Sequence, residues 1–325
     1  MRKFILFLLL GCIHAQQGFF KDFKATNLAQ KLNLASKLTE NPRPCAHLKA
    51  QSHYTATGVR EPDECTKEFK KSATLSYDLA LGFLVTQNKQ YGLKAREFLQ
   101  SWAQDLKSAD TLQAQDNINF YMPYMNMAYL YIKKELPSPQ YEEFVREMLH
   151  YSQSNLNTNH GAWGILFDVS SALTLGDHVL LQRSARRWQE WVLTAIDHNG
   201  VIENAITRSD TNNYHGGPTK GIKGIAYSNF ALLPISIAAE LLFENGINLW
   251  QSQAGHRLAT AYNKIATWIL NPQTFPYFQP NLVGVHNNAY FIILARHYNS
   301  PSANILLKQG DLHADGFRLK LRTVK

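Results

Sequence analysis

The sequence has few of the residues on which metal-dependent or acyl-transfer enzymes rely. Only three of its 325 residues are cysteine, and it contains neither an HExxH motif nor a clustered set of histidine and cysteine. Metal sites need such ligands at short spacings, so we predict none. A GxSxG elbow and an evident Cys/His pair are also absent, which leaves acyl-enzyme chemistry without a nucleophile signature.

Long hydrophobic runs are scarce, and the one at the start is short. In "MRKFILFLLLGCIHAQQ", Arg2 and Lys3 precede an apolar run and the small residue Ala15, which is typical of a secretory signal peptide. A stable membrane span needs about 20 apolar residues, so we predict none. We expect cleavage after residues 1–15 and export of residues 16–325 to the periplasm or the medium. Cys12, which ends "LLLGC", leaves a lipoprotein as the alternative.

Cleavage of the signal peptide leaves two cysteines, Cys45 and Cys65. Two thiols in an oxidising compartment predict one disulfide, whereas metal binding by two cysteines alone is improbable. The loop that it would close implies about 3 kcal/mol of stabilisation.

Acidic residues are fewer than basic ones, and this imbalance indicates an anionic partner. Removal of residues 1–15 lowers the formal net charge only from +8 to +6, because Arg2 and Lys3 are lost with no acidic residue. Excess positive charge speeds encounters with polyanions. Because blocks of Lys and Arg interleaved with aromatics are absent, we predict an acidic polysaccharide or anionic surface as partner, and no nucleic acid.

Convincing alternation of apolar and polar residues is absent too, and apolar residues recur instead at helical spacing. Short breakers such as "LPSPQ", "HNG" and "ENG" separate the helical stretches. This pattern predicts an all-α protein of one domain, residues 16–325, folded as an incomplete α/α toroid, with a stacked solenoid as the alternative. The predicted helices lie near residues 23–38, 73–87, 88–106, 118–134, 139–153, 161–175, 178–197, 225–244, 247–270 and 283–298.

Two polar segments resist the helical interpretation, residues 41–64 and 198–224. Long polar loops in a compact domain are often functional. The first contains His53, Tyr54 and Arg60, and the second contains Arg208, Tyr214, His215 and Lys220.

Three segments in order resemble the alginate lyases of polysaccharide lyase family five and their alginate-lyase domain relatives. They are "TNHGAWGILFDVSSALTLGD", "NGVIENAITRSD" and "AYSNFALLPISIAAELLFENGINLW", and "HYTATGVREPDE" upstream is also similar. The resemblance covers roughly residues 45–250. It implies an incomplete α/α toroid that cleaves a uronic-acid polymer, most simply mannuronate-rich alginate, by β-elimination without a cofactor. We expect a monomer.

The resemblance also implies roles for particular residues. Asn159 and His160 match an Asn-His pair that would neutralise the substrate carboxylate at a helix start. Tyr227 matches the tyrosine that would remove the C5 proton and protonate O4 on mannuronate. On a guluronate-like substrate the C5 proton and O4 lie on opposite faces of the sugar, so His160 would be the base and Tyr227 the acid. Without the family, Asn159 would be interpreted as a helix cap and Tyr227 as a core residue.

The cation of the site has two candidates. The family arginine lies seven positions before its tyrosine, where this chain has Lys220, whereas alignment from "HNG" selects Arg208. We favour Arg208, because its planar fork binds a carboxylate at two points. Tyr214 is a rival to Tyr227 as acid and base. The predicted substrate-binding residues are Trp163, which could instead be a packing residue, Tyr214, His215, Lys220, Tyr54 and Arg60.

Three other functions remain open from the sequence. The chain could cleave another polyuronate such as glucuronan, or it could bind acidic glycans at the cell envelope without catalysis. A hydrolase would need two carboxylates across a cleft. The candidates for such a pair are Asp168, Asp177, Asp197, Glu203 and Asp210.

Overall fold

The computed structural model describes residues 23, 27–280, 287–310, 312 and 316–322. The predicted signal peptide, Ala15 and Cys12 lie outside these residues. The helices of the described part are α1 (Leu28–Lys31), α2 (Leu34–Lys37), α3 (Glu64–Thr86), α4 (Lys89–Asp105), α5 (Leu112–Ile132), α6 (Pro139–Met148), α7 (Asn159–Leu175), α8 (His178–Ala195), α9 (Glu203–Ile206), α10 (Gly224–Glu244), α11 (Gln253–Leu270), α12 (Phe291–Leu294) and α13 (Pro301–Gln309). The strands have two residues each: β1 (His47–Leu48), β2 (Tyr54–Thr55), β3 (Gly58–Val59) and β4 (Ser108–Ala109).

Four helical hairpins form the body of the protein. The inner helices α3, α5, α7 and α10 pack side by side in that order, and α4, α6, α8 and α11 follow them on the outside. The fold is the all-α, incomplete α/α toroid that the helical periodicity predicts.

Inner and outer helices differ in sequence because they are covered differently. Every residue of α7 from Gly161 to Thr174 is buried, and α10 is buried over most of its length. Outer helices such as α8 keep polar residues on the side that faces water. Among the described helices, Gly224–Glu244 alone is long and apolar enough to cross a membrane, and 89% of its most apolar window is buried inside the protein. We therefore interpret α10 as a core helix.

Local signals in the sequence account for the tight turns between paired helices. After α3, Gln87 adopts a left-handed conformation (φ 58°), and the side chain of Asn88 accepts a hydrogen bond from the Gln90 amide at the start of α4. After α7, Gly176 is left-handed (φ 68°), and Asp177 caps α8. Such caps satisfy backbone groups that a helix end leaves unpaired.

The N-terminal helix prediction is wrong in its extent. Residues 23–38 do not form one helix in the described part, because Asn27 (φ 61°) and Asn33 (φ 49°) are left-handed and leave two single turns, α1 and α2. Asparagine tolerates this conformation better than most residues, so it can interrupt an apolar helical pattern.

The C-terminal helix predictions also differ from the structure. The helix predicted for 247–270 begins at Gln253, where Ser252 caps it. Of the region 283–298, residues 281–286 are outside the described part, and only Phe291–Leu294 is helical among the rest. Helix α13 was not predicted, although Ser300 caps it and Pro301 occupies its first turn.

The predicted disulfide between Cys45 and Cys65 is present, with a Cα–Cα distance of 6.0 Å. It joins residue 45 to the first turn of α3 and so closes the polar segment between them. Strand β1 of this segment pairs with β4, and β2 pairs with β3 in a hairpin. The segment is therefore anchored at its ends and carries a short hairpin in its middle.

Phe317, near the C-terminus, lies between three inner helices. Its ring stacks on Tyr124 of α5 with 3.9 Å between centroids, and its carbonyl oxygen accepts a hydrogen bond of 2.9 Å from the Tyr77 hydroxyl of α3. The next residue, Arg318, binds the fully buried Asp78 through two hydrogen bonds of 2.7 Å. The C-terminal segment is therefore part of the toroid's interior.

Candidate active site

A cleft of about 1760 Å³ opens where the N-terminal halves of the four inner helices meet. Helix N-termini carry partial positive charge, so their convergence favours anionic ligands. The side chains that line the cleft add to this positive charge. Nine Lys and Arg residues line the cleft against four Asp and Glu residues, namely Lys37, Lys49, Arg60, Lys67, Lys70, Lys71, Arg208, Lys223 and Arg318 against Glu61, Asp63, Asp78 and Asp116.

The two polar segments of the sequence meet at this cleft. The Asn212 amide donates a hydrogen bond of 2.9 Å to the Thr55 carbonyl in the β2–β3 hairpin. The rings of Tyr54 and Tyr214 lie edge to face, with centroids 5.9 Å apart. The hairpin and the loop before α10 therefore bring residues more than 150 positions apart into one site.

Arg208 is held among the rings of three tyrosines. Its guanidinium carbon lies 4.3 Å from the ring centroid of Tyr214, 4.5 Å from that of Tyr227 and 5.8 Å from that of Tyr54. The Lys223 amide donates a hydrogen bond of 3.0 Å to the Arg208 carbonyl, which fixes the backbone. Arg208 forms no ion pair with any residue of the described part, and its buried Nε has no hydrogen-bond partner there. The structure therefore presents a positioned cation with unused donors.

Tyr227 lies in the first turn of α10, beside this arginine. Its hydroxyl donates a hydrogen bond of 2.9 Å to the hydroxyl of Tyr54. Burial, and then the neighbouring Tyr227, raise the pKa of Tyr54 well above the ordinary value of a phenol. Tyr54 therefore remains protonated and can donate a hydrogen bond to Tyr227 once Tyr227 has lost its proton.

His160 lies in the first turn of α7, and a carboxylate orients it. Its Nδ1 is 2.8 Å from Oδ1 of Asp116, and the same oxygen accepts a hydrogen bond of 2.8 Å from the Gln153 side chain. With Nδ1 engaged by Asp116, Nε2 is the ring nitrogen left for a ligand.

Asn159 is the first residue of α7 and lines the cleft. It is not the cap of the helix, because Thr158 occupies that position. The Asn159 side chain has no hydrogen-bond partner among the residues that the structure describes. Its amide is thus free to bind a ligand next to His160.

The glycines of "NHGAWG" permit a close approach of the preceding loop. A Cβ on Gly161 would overlap the Leu156 carbonyl oxygen, and one on Gly164 would overlap the Ser154 backbone nitrogen. Between them, Trp163 is 3% exposed and packs on Phe230, with ring centroids 5.2 Å apart. Trp163 is a packing residue beneath the cleft.

Seven of the ten predicted site residues line the cleft: Asn159, His160, Arg208, Tyr227, Tyr214, Tyr54 and Arg60. Three predicted substrate-binding residues do not, namely Trp163, His215 and Lys220. His215 hydrogen-bonds Thr207 at 2.8 Å, and burial followed by the charges of Arg208 and Lys220 lowers its pKa. Lys220 lies 5.3 Å from the ring of Tyr277.

Sequence reasoning missed Asp116, Lys70 and Lys223, which also line the cleft, and it named His53 in the first polar segment without giving it a role. Asp116 is the one carboxylate in α5, and that was the signal that could have found it. Lys223 lies four residues before Tyr227, which is the spacing that puts two side chains on one helix face.

The carboxylates that a hydrolase would use lie elsewhere. None of the five named from the sequence lines the cleft. Asp177 caps α8, and Asp197 accepts hydrogen bonds from the amides of its own turn. Burial raises the pKa of Asp168, and the hydroxyls of Ser152 and Ser154 oppose this effect. These five carboxylates therefore do not form the pair across the cleft that a hydrolase would use.

Metal ligands are not grouped in the part of the chain that the structure describes. No three His, Cys, Asp or Glu residues there are placed to hold a metal ion.

Solved structures of similar fold are alginate lyases. Alginate lyase A1-III from Sphingomonas species A1 has a TM-score of 0.66 at 14% identity, over 90% of this chain and 93% of that chain. A histidine-to-alanine variant of alginate lyase A1-III, complexed with tetrasaccharide, has a TM-score of 0.65 at 16% identity, over 95% and 91%. An alginate lyase from Bacteroides ovatus has a TM-score of 0.64 at 14% identity, over 89% and 98%.

Identities this low establish the fold alone, and a comparison with curated proteins gives no significant match. The sequence profile of the alginate lyase family, in contrast, matches residues 22–275. That range includes both polar segments and the helix starts that carry Asn159, His160 and Tyr227. The chain therefore belongs to the alginate lyase family.

Proposed function

We propose that this protein cleaves mannuronate-rich alginate by β-elimination, with Tyr227 as base and acid. The observation that carries the proposal is the Arg208 guanidinium, which has no ion-pair partner among the described residues and lies 4.5 Å from the Tyr227 ring. A positioned cation beside a phenol is the pair that abstraction of a proton next to a carboxylate requires.

The first task of such a site is to neutralise the substrate carboxylate. The C5 proton is only weakly acidic until the negative charge of that group is offset. Arg208 can bind the carboxylate at two points, and the free amide of Asn159 can donate to it. The partial positive charge at the start of α7 acts in the same direction.

The second task is proton transfer. Tyr227, as phenolate, takes the C5 proton while the electrons of the C5–H bond form the enediolate. The C4=C5 double bond then forms as the C4–O4 bond breaks, and Tyr227 returns the proton to O4. The Arg208 guanidinium lies beside the Tyr227 ring and would offset negative charge on it. The Tyr54 hydroxyl, which accepts a hydrogen bond from Tyr227 in the structure, would donate one to the phenolate. One residue can carry out both transfers because the C5 proton and O4 lie on the same face of mannuronate.

The relatives support this assignment of substrate and residue types. The histidine-to-alanine variant of alginate lyase A1-III and a tyrosine-to-phenylalanine variant are each complexed with tetrasaccharide. By analogy, we propose that uronate oligosaccharides bind the basic cleft of this chain.

A second substrate, guluronate, is favoured by the Asp116–His160 hydrogen bond of 2.8 Å. A carboxylate on Nδ1 fixes the tautomer, so that Nε2 carries the lone pair that can accept a proton. On guluronate His160 would then remove the C5 proton and Tyr227 would protonate O4 from the other face.

Turnover of defined polymers tests the proposal. The chain should release products that absorb as unsaturated uronates from polymannuronate, and comparison with polyguluronate and glucuronan measures its preference. Absence of such product from all three polymers over a range of pH values would refute it.

Two matched variants test the role of Tyr227. Tyr227→Phe should lower turnover at least about 1000-fold, since it removes both proton transfers, and should change the Kd for oligomannuronate by less than about threefold, because the ring still packs on Arg208. Tyr214→Phe should retain most turnover. The reverse pattern would transfer the catalytic role to Tyr214.

Export and oligomeric state complete the proposal. We propose that residues 1–15 are removed on secretion and that the toroid acts as a monomer. N-terminal sequencing of the exported protein and light scattering test these two statements. Lipid on Cys12 would instead place the protein on a membrane surface.

A further inference from the structure

A second cluster of cationic and imidazole groups lies in the cleft and takes no part in the proton transfer described above. Lys223, Lys70 and His53 all line the cleft wall. They come from three separate elements: the residue before α10, the second turn of α3 and the segment closed by the disulfide. Their convergence therefore depends on the tertiary fold.

The position of the cluster relative to Arg208 follows from the backbone. Lys223 precedes Tyr227 by one helical turn, which is a rise of about 5.4 Å on the same face. Its amide is bonded to the Arg208 carbonyl at 3.0 Å. His53 precedes Tyr54, and their rings lie edge to face with centroids 4.8 Å apart. The cluster therefore adjoins the Arg208–Tyr227 site.

Both lysines are available to a ligand. Lys67 and Lys71, the neighbours of Lys70 on α3, bind Glu64 and Glu40 at 2.9 and 2.8 Å. Lys70 and Lys223 form no ion pair or side-chain hydrogen bond within the described residues. Two unpaired ammonium groups beside one imidazole make a position that an anion would stabilise.

The titration of His53 agrees with this geometry. Burial, and then the positive charge of Lys223, lower its pKa, and Lys70 adds to the effect while Glu61 opposes it. A bound carboxylate would favour the protonated imidazole. Binding of an anion should therefore be tighter at lower pH and should take up a proton at His53.

We infer that Lys70, Lys223 and His53 bind the carboxylate of the sugar next to the one held by Arg208, so that the protein selects two successive uronates. The inference rests on the proposed function for the identity of the ligand. The requirement that it adds is a carboxylate on the neighbouring sugar, which a single carboxylate site does not impose. A neutral sugar at this position would leave the two lysines unpaired.

Binding of a mannuronate tetramer to the full-length Tyr227→Phe protein tests the inference without turnover. In that background, Lys70→Gln together with Lys223→Gln should weaken binding about 10- to 100-fold, as expected when charged hydrogen bonds are lost. The matched control is Lys89→Gln with Lys308→Gln, which removes the same charge from exposed residues outside the cleft and should change the affinity less than about twofold. The fully methyl-esterified tetramer has no charged carboxylates, so the cleft variant and the control variant should bind it with equal affinity.

Calorimetry near pH 6 in buffers of different ionisation enthalpy supplies a second readout. Tetramer binding should take up a proton, and His53→Gln should reduce the uptake. Equal affinities for the cleft variant and the control, or an unchanged proton uptake in His53→Gln, would overturn the inference. Tetramer binding that follows the predicted pattern without unsaturated product from the wild-type chain would instead refute the proposed function alone.

Discussion

Arg208→Lys separates the positive charge of Arg208 from its planar geometry. The guanidinium carbon lies 4.3 and 4.5 Å from the ring centroids of Tyr214 and Tyr227, so it is sandwiched between them. An ammonium keeps the charge but can neither fill this gap nor bind a carboxylate at two points. The variant therefore removes what is specific to arginine.

The magnitude can be worked from these contacts. A partly desolvated cation–ring contact contributes about 1 kcal/mol, and lysine retains part of it. One charged hydrogen bond to the substrate carboxylate contributes about 1.5–3 kcal/mol. A loss of about 2–4 kcal/mol corresponds to a decrease in kcat/KM of about 30- to 1000-fold.

The assay is the initial rate of unsaturated product from polymannuronate, with Lys220→Gln as the matched comparison. Lys220 lies 5.3 Å from the Tyr277 ring and does not line the cleft, so its loss should change kcat/KM by less than about threefold. A decrease below threefold in Arg208→Lys, or an equal decrease in Lys220→Gln, would refute the assignment of the carboxylate-binding cation.

Three further predictions concern the scaffold of the site. Serine at both Cys45 and Cys65 should lower the free energy of unfolding by about 3 kcal/mol, because the closed segment gains entropy in the unfolded chain; denaturant titration measures this, and a reductant should affect only the wild type. Gly161→Ala should lower the free energy of unfolding by at least about 2 kcal/mol, since the added methyl group overlaps the Leu156 carbonyl oxygen; an unchanged Tm would contradict the contact. Asp116→Asn should lower kcat on polyguluronate more than on polymannuronate, because only the former reaction needs an imidazole base; equal losses would argue against two bases.

The sequence predicts the toroid well because the determinants of helices are local. Apolar spacing, together with caps such as Asn88 and Asp177, places both ends of α4, α7, α8 and α10 within two residues of their positions in the structure. The helices predicted from residues 73 and 118 begin earlier, at Glu64 and Leu112, because their first turns are polar and carry little apolar spacing. The prediction is wrong where the signal is ambiguous, as at Asn33, whose left-handed backbone stops a helix that its apolar neighbours would continue.

The cation of the site shows what residue spacing cannot decide. Arg208 precedes Tyr227 by 19 positions, yet the loop between them folds back on itself. The Ser209 amide bonds the Tyr214 carbonyl at 2.9 Å, and the Gly221 amide bonds the Thr207 carbonyl at 3.1 Å. These contacts return the chain to Arg208 before α10 begins, which alignment by spacing does not reveal. Asp116 was not predicted for a similar reason, since its partner His160 is 44 residues away.

The contacts of Phe317 and Arg318 with α3 affect when the cleft is completed during folding. The hydrogen bond from Tyr77 to Phe317 and the ion pair between Asp78 and Arg318 each join residues 240 positions apart. Contacts of such long range are expected to form late, because closing so large a loop costs entropy that only a nearly complete structure offsets. In a refolding experiment, helical circular dichroism should therefore recover before cleavage of substrate does. A nascent chain would acquire its four hairpins during synthesis, whereas Asp78 would acquire its arginine partner only after residue 318 had been made.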